Sequence, residues 1–263
     1  MRFLCVAAAL FATGVSPCLS AEGPKPFDLE VYLRGERVFD TQCMPCHGRD
    51  GRGDGEWAAA VTTKPRDFSK GIFKFRTTPL GSLPTESDLI RTLRAGVSGT
   101  MMPSFSKLTD SEVRGVIAFV RGFSKRWEDP AAYAEPVPLP EPPDWLDRPA
   151  ATEHRRNGAA LFTQTCVPCH GSGGKGDGPA AIALRDVWGH AITPADLTNP
   201  HHKSGERPLD LYRTISMGLD GTPMVGFLAA LGPDKIWDLV AFIRSLEQTP
   251  ADPATSLSSP QAQ

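Results

Sequence analysis

The chain of 263 residues lacks several features that would narrow its role at once. It has no strong charge of either sign: Lys and Arg number 28 against 30 Asp and Glu, a formal net charge of −2. That excludes the global basic surplus typical of nucleic-acid-binding domains. Beyond its N-terminus it has no apolar run approaching the roughly 20 residues that a membrane-spanning helix needs. No transmembrane anchor and no nucleic-acid partner are therefore expected. Convincing pairs of alternating strands are also missing, so the pattern reads as all-α. Cysteine, histidine and methionine are scarce, at six each, so each can be accounted for. Glycine and proline are not scarce: 25 of each, above average usage, imply many loops and at least one stiff linker.

The first 21 residues read as a targeting segment. MRFLCVAAALFATGVSPCLSAEG has Arg2, an apolar stretch from Phe3 to Val15, and then small residues. This is the plan of a secretory signal peptide, with cleavage near Ser20 or Ala21 and a periplasmic destination. A buried N-terminal helix is the alternative. V-S-P-C around Cys18 has a faint likeness to a lipoprotein box, with Pro17 an unfavourable residue before the cysteine.

Cys5 and Cys18 go with the leader, leaving Cys43, Cys46, Cys166 and Cys169. An even count in an exported chain suits disulfides, and two C-x-x-C pairs suit a four-thiolate zinc site. Against both stands the histidine that follows each pair. Residues 43–47 read CMPCH and residues 166–170 read CVPCH. C-x-x-C-H is the attachment signature of haem c: two thiols bond the haem edge, and the adjacent His is carried to the iron. Two covalently bound haems are expected, with His47 and His170 as proximal ligands.

The flanks repeat as well. Gly35, Phe39 and Cys43 are matched in spacing by Gly158, Phe162 and Cys166, each triplet on one helix face. HGRDGRGDG is matched by HGSGGKGDG, PRDF by PADL, DLIRTLRAG by DLYRTISMG, GTMMPSF by GTPMVGF and VIAFVRGF by LVAFIRSL. The Gly-rich loops lack the G-K-[ST] of a phosphate-binding loop and read as turns needing positive φ or close backbone approach. Thr109 with Glu112 forms a capping box. Thr85 caps and Gly96 closes a helix over Leu89 and Leu93, Gly218 matches Gly96, and Pro233 suits the first turn of the last helix.

Helix, C-x-x-C-H, Gly-rich loop, helix, G-T-x-M and terminal helix together resemble the class I c-type cytochromes, twice over, across nearly all of residues 28–126 and 152–248. The resemblance implies an all-α chain of two tandem cytochrome c-like domains. Its parts are a signal peptide (1–21), domain 1 (22–126), a Pro-rich acidic linker (127–150), domain 2 (151–248) and a disordered tail (249–263). It also implies terminal helices crossed beside each haem, with Phe39 near Phe119 and Phe162 near Phe242.

Each iron needs a sixth ligand. Between residues 27 and 126 the only His is His47, and Met44 sits between the haem cysteines, which leaves Met101 and Met102. Met102 is preferred because it aligns with Met224 and precedes proline. In the second half Met224 is preferred, although Val225 follows it; His190, His201, His202 and Met217 are the rivals. Pro65 or Pro194 is expected to offer a carbonyl to the proximal ring. His–Met ligation fills the position where a substrate would bind, so electron relay between donor and acceptor proteins of a respiratory chain is expected. The alternatives are a dihaem enzyme (a peroxidase or a sulfur-compound dehydrogenase) or a dedicated subunit of a larger oxidoreductase.

Residues 127–150 carry seven prolines and six acidic residues against one basic one. They read as a semi-rigid strap, with Trp127, Tyr133 and Trp145 as possible anchors. Residues 27–126 carry 16 basic against 12 acidic residues, clustered in KPRDFSKGIFKFR at 64–76. From Lys64 to Arg76, this stretch is either a solvated loop or a docking face for an acidic redox partner. PRDFSKGIFKFRTTPLGSLPT is longer than its counterpart and is similar to a segment in cytochromes that accompany periplasmic respiratory oxidoreductases.

Overall fold

The computed structural model describes residues 28–148 and 151–247. The expected leader with Cys5 and Cys18, and the tail from residue 249, lie outside the described residues. Nearly all regular structure is helical. The first lobe contains α1 (Leu29–Gln42), α2 (Met44–His47), α3 (Glu86–Ala95) and α4 (Asp110–Arg121). The second contains α5 (Ala151–Thr165), α6 (Val167–His170), α7 (Pro208–Met217), α8 (Leu228–Leu231) and α9 (Pro233–Glu247). Among the described residues the only β pairing is an isolated bridge between Arg185 and Ala191.

Local chemistry sets the helix ends. The Asp28 side chain accepts from the N–H groups of Glu30 and Val31 at the start of α1. Thr85 with Asp88 and Thr109 with Glu112 form reciprocal capping boxes that satisfy orphan donors of α3 and α4. Gly96 and Gly218 end α3 and α7 at φ of 71° and 67°.

In each lobe the first and last long helices cross, α1 over α4 and α5 over α9. The crossing is close because it is built on glycine. A Cβ on Gly35 would lie 1.9 Å from the carbonyl oxygen of Gly115, and one on Gly158 would lie 2.0 Å from that of Asp238. Beside each crossing an aromatic pair fills the core, Phe39–Phe119 at 5.1 Å and Phe162–Phe242 at 5.2 Å between ring centroids. Phe39, Val113 and Val116 are buried in the first lobe, and Phe162, Ile236 and Val240 in the second. Complete burial of such a side chain contributes about 1.5–3 kcal/mol.

The Pro-rich segment is fastened at both ends. The Leu83 N–H donates to Ala132 O (2.8 Å), and the Val137 N–H donates to Thr77 O (2.8 Å). Trp127 packs edge-on against Phe73 and Tyr133. Farther along, Leu146 is buried in the core of the second lobe and Trp145 stacks on His154 at 3.6 Å. His154 in turn meets the carboxylate of Asp238 at 2.6 Å.

The lobes share a buried polar interface. Arg76 is almost fully buried, and its Nε–H donates to Asp220 of the second lobe at 3.0 Å. Trp188 Nε1–H donates to Asp67 of the first lobe at 3.0 Å, and Arg66 lies 4.3 Å over the Trp188 ring. The basic stretch from Lys64 to Arg76 is therefore not a single outward docking face. Arg66 and Arg76 face the second lobe, where an indole and a carboxylate compensate their desolvation. Lys64 and Lys70 remain exposed.

Candidate functional site

The two C-x-x-C-H segments form the same turn. Cys43 ends α1, and its carbonyl accepts from Cys46 N–H (3.1 Å) and His47 N–H (2.9 Å). Cys166 accepts from Cys169 and His170 at the same two distances. Proline within the first two positions of α2 and of α6 removes a donor that would have no partner there. None of the four cysteines is joined to another in a disulfide. Burial, with the neighbouring Cys46 second, pushes the Cys43 thiol up to about 12, and the same causes push Cys166 to about 11. The Cys43–Cys46 and Cys166–Cys169 pairs lie in different lobes and so do not converge on a four-thiolate zinc site, and among the described residues no group of three or more His, Cys, Asp or Glu is placed to hold a metal ion.

The Gly-rich loops fold back under each turn. Gly53 N–H donates to His47 O and Gly176 N–H to His170 O, both at 2.8 Å. Gly53 and Gly176 have φ of 76° and 78°, and a Cβ there would lie 2.6 and 2.5 Å from the carbonyls of Pro65 and Pro194. Only glycine admits both constraints.

This packing also orients the imidazoles, with a one-residue correction to the expected carbonyl. His47 Nδ1 lies 3.0 Å from Arg66 O, and His170 Nδ1 lies 3.2 Å from Ala195 O. The carbonyls of Pro65 and Pro194 lie instead against Gly53 and Gly176. Since a carbonyl only accepts, Nδ1–H donates and the Nε2 lone pair is left for a metal. Burial lowers the pKa of both rings, which favours the neutral form that ligates. Phe68 stacks on His47 at 4.5 Å.

The methionine loops also correspond bond for bond. Val97 N–H donates to Met102 O (3.0 Å), and Met102 N–H donates to Thr100 Oγ1 (3.2 Å). In the second lobe Leu219 N–H donates to Met224 O (2.9 Å), and Met224 N–H donates to Thr222 Oγ1 (3.2 Å). Met101 and Met102 both line the first lobe's cleft, but Met102 is half-buried whereas Met101 is 70% exposed. The rivals in the second lobe have other partners. His201 meets Glu206 and His202 meets Glu247, each at 2.7 Å. His190 pairs with Asp186 and lines a crevice between the lobes. Met217 is buried at the end of α7.

The first lobe's cleft is lined by Cys43, Cys46, His47 and Met102, together with apolar side chains of α1, α3 and α4. Its lining includes the cations Lys74 and Arg66. Burial, reinforced by Arg66 and then Lys203, pulls the Lys74 pKa down to about 8. Burial likewise pulls Arg66 down to about 10. An apolar slot lined in part by desolvated cations suits a flat apolar group that carries carboxylates, as haem does. Lys203, from the second lobe, also lines this cleft. Sequence reading missed Lys203 and the Arg66 and Ala195 carbonyls.

The signal for the interface lay in two unequal lengths. From Gly178 to Pro194 is 16 positions, against ten from Gly55 to Pro65. From Pro65 to Thr85 is 20, against 13 from Pro194 to Arg207. These extra segments carry Trp188 and Arg76, and they meet.

Known proteins show the same organisation. The Cytochrome c family matches twice, over residues 32–124 and 156–247. The chain is 26% identical over 243 residues, 92% of its length, to the cbb3-type cytochrome c oxidase subunit CcoP of Rubrivivax gelatinosus. It is 31% identical over 98 residues, 36% of its length, to subunit FixP of that oxidase type from Rhizobium etli. It spans 62% of the length of the first relative and 31% of the second. Among solved structures, a chain of the Kuenenia stuttgartiensis reducing HAO-like protein complex is similar, with a TM-score of 0.73 and 36% identity. That match covers 82% of this chain and 96% of the other. The chain thus belongs to the cytochrome c family, with two of its domains in tandem and two covalently attached haem c groups.

Proposed function

We propose that the chain relays single electrons between partner redox proteins in the periplasm, to which its leader directs it, and that it turns over no substrate of its own. In this reading Cys43 and Cys46 hold one haem and Cys166 and Cys169 the other. His47 and His170 are the proximal ligands, and Met102 and Met224 the distal ones. Haem c supplies reversible one-electron exchange at its iron. The chain's residues hold the ligands in place, exclude water with apolar walls and set the charge at the haem edge.

One observation carries the proposal: the same set of bonds recurs around His47 and Met102 and around His170 and Met224. If His47 with Met102 and His170 with Met224 each bound an iron, neither iron would keep a free position for a substrate. The test is optical. The oxidised holoprotein should show a methionine-to-iron charge-transfer band worth two haems, and the reduced protein should not bind carbon monoxide. Rapid carbon monoxide binding at either haem would favour a dihaem enzyme.

A second reading, a dedicated subunit of a larger oxidoreductase, draws support from its relatives. They are described as an oxidase subunit and as part of a multi-protein complex. Co-purification of the native protein with a stoichiometric catalytic partner would support it, and a free monomer at native expression would count against it.

A further inference from the structure

The two methionine loops are held by arginines of different origin. In the first lobe the clamp is internal. Arg94 of α3 donates through Nη1 to the carbonyls of Ser106 (3.1 Å) and Leu108, and through Nη2 to Asp110 (2.6 Å). It thereby fixes the chain that leaves Met102. The repeat places Ser216 where Arg94 stands, so the second lobe has no such arginine of its own. Its loop is instead gripped from outside, by Arg76 of the first lobe.

Arg76 reaches the second loop at two points. Its Nε–H donates to Asp220 Oδ2 at 3.0 Å, and Nη1 and Nη2 both donate to Met217 O at 3.3 Å. Met217 is the last residue of α7, so this carbonyl has no partner within the helix and carries the negative end of its dipole. Asp220 sits inside the short turn that the Leu219–Met224 bond closes. The backbone N–H of Gly81, again from the first lobe, donates to both Asp220 carboxylate oxygens at 3.2 Å. Arg76 is itself fixed by donating from Nη1 to Thr78 O at 2.7 Å. The counterpart of Asp220 in the first lobe is Ser98, which has no carboxylate.

We propose that Arg76 is a positioning residue for the second haem: by holding Met217 O and Asp220, the first lobe keeps the Met224 loop in ligating position. The proposal rests on the reading of Met224 as the distal ligand. The guanidinium bonds are charge-assisted and shielded from water, so their loss weighs more than that of an exposed pair. Removing them should let the loop open while both lobes remain folded, because neither Arg76 nor Asp220 belongs to either helix crossing.

The experiment uses the full-length holoprotein in a Met102→His background, where any methionine-to-iron band reports the second haem alone. Met224→His in the wild-type chain is the control for the underlying reading: it should halve the band, and an undiminished band would overturn the reading of Met224 itself. Asp220→Asn, which keeps shape and an acceptor, and Arg76→Met are then compared. Both should lower the temperature at which the band is lost, well below the temperature of global unfolding. Carbon monoxide binding to the reduced second haem should rise about tenfold or more, the factor that corresponds to one lost charge-assisted bond. Arg76→Lys should recover part of the effect, because an ammonium can pair with Asp220 but cannot also span Met217 O. Arg94→Met, in a Met224→His background, should loosen the first haem's band instead. The positioning role is overturned if Asp220→Asn and Arg76→Met leave band loss and carbon monoxide binding unchanged while Met224→His halves the band. It is equally overturned if band loss only follows global unfolding.

Discussion

Gly35 of α1 and Gly115 of α4 touch backbone to backbone: a Cβ on Gly35 would fall 1.9 Å from the Gly115 carbonyl oxygen. Nothing at this crossing is a flexible side chain that could move aside. Gly35→Ala should therefore force the helices apart and cost at least the ~1–3 kcal/mol typical of overpacking. Gly158→Ala should do the same against Asp238 O. Chemical denaturation of the holoprotein, read by helical circular dichroism, checks both. A variant as stable as the parent would show that the crossing relaxes freely.

Acid should weaken the fold through two buried carboxylates. Burial alone would raise the Asp88 pKa, but bonds from Thr77, Arg91 and Thr85 outweigh it and hold the group below its ordinary value. At Asp210, burial is likewise outweighed by the bonds from Arg207 and Arg213. A depressed folded pKa contributes stability that is complete above the ordinary carboxylate value. That stability is lost as pH falls through the lower folded one. The parent should therefore lose more stability than Asp88→Asn between roughly pH 5 and pH 2. Unfolding free energies measured across that range decide it; parallel curves would mean that Asp88 carries none of the dependence.

Replacing a distal ligand should change one haem at a time. Met102→His and Met224→His each substitute an imidazole for a thioether, which lowers haem potential. A spectroelectrochemical titration of each variant should show one of the two waves displaced downward and the other nearly unchanged. If both waves move together, or neither does, the assignment of one methionine to each haem is wrong.

At the lobe interface, Trp188→Ala removes the hydrogen bond to Asp67 and the ring under Arg66. The bond and the cation–π contact are each worth about 1 kcal/mol. Thermal unfolding should therefore move to lower temperature by several degrees. Trp188→Phe, which keeps a ring but loses the donor, should fall between the two. An unchanged midpoint in Trp188→Ala would mean that the Trp188 contacts add nothing to stability.

Both lobes, and the turns that carry most of the candidate site residues, were legible because they are written in short-range spacing. C-x-x-C-H, G-x-G-D-G and G-T-x-M each specify a local turn, and each recurs in a second copy that confirms the first. The distinction between Pro65 and Arg66 as carbonyl donors was not legible, since it depends on where the backbone points after a proline. Arg76 was misread for a physical reason. In a basic run it looks solvated, and its partner Asp220 is 144 residues away. Comparing the repeats position by position would have exposed it, because Ser216 stands where Arg94 should be and Asp220 where Ser98 should be.

The proline-rich strap has a consequence for rate. It is tied to the first lobe by Ala132 and Val137 and to the second by Leu146, so it acts as a brace. Electron tunnelling falls off steeply with separation, so a pair of centres on a loose tether would pass charge only when the tether happened to bring them close. The brace and the interlobe bonds should hold the two C-x-x-C-H turns at a steady separation. Transfer between the centres should then be insensitive to solvent viscosity, and the slow step should be the arrival and departure of the partner proteins.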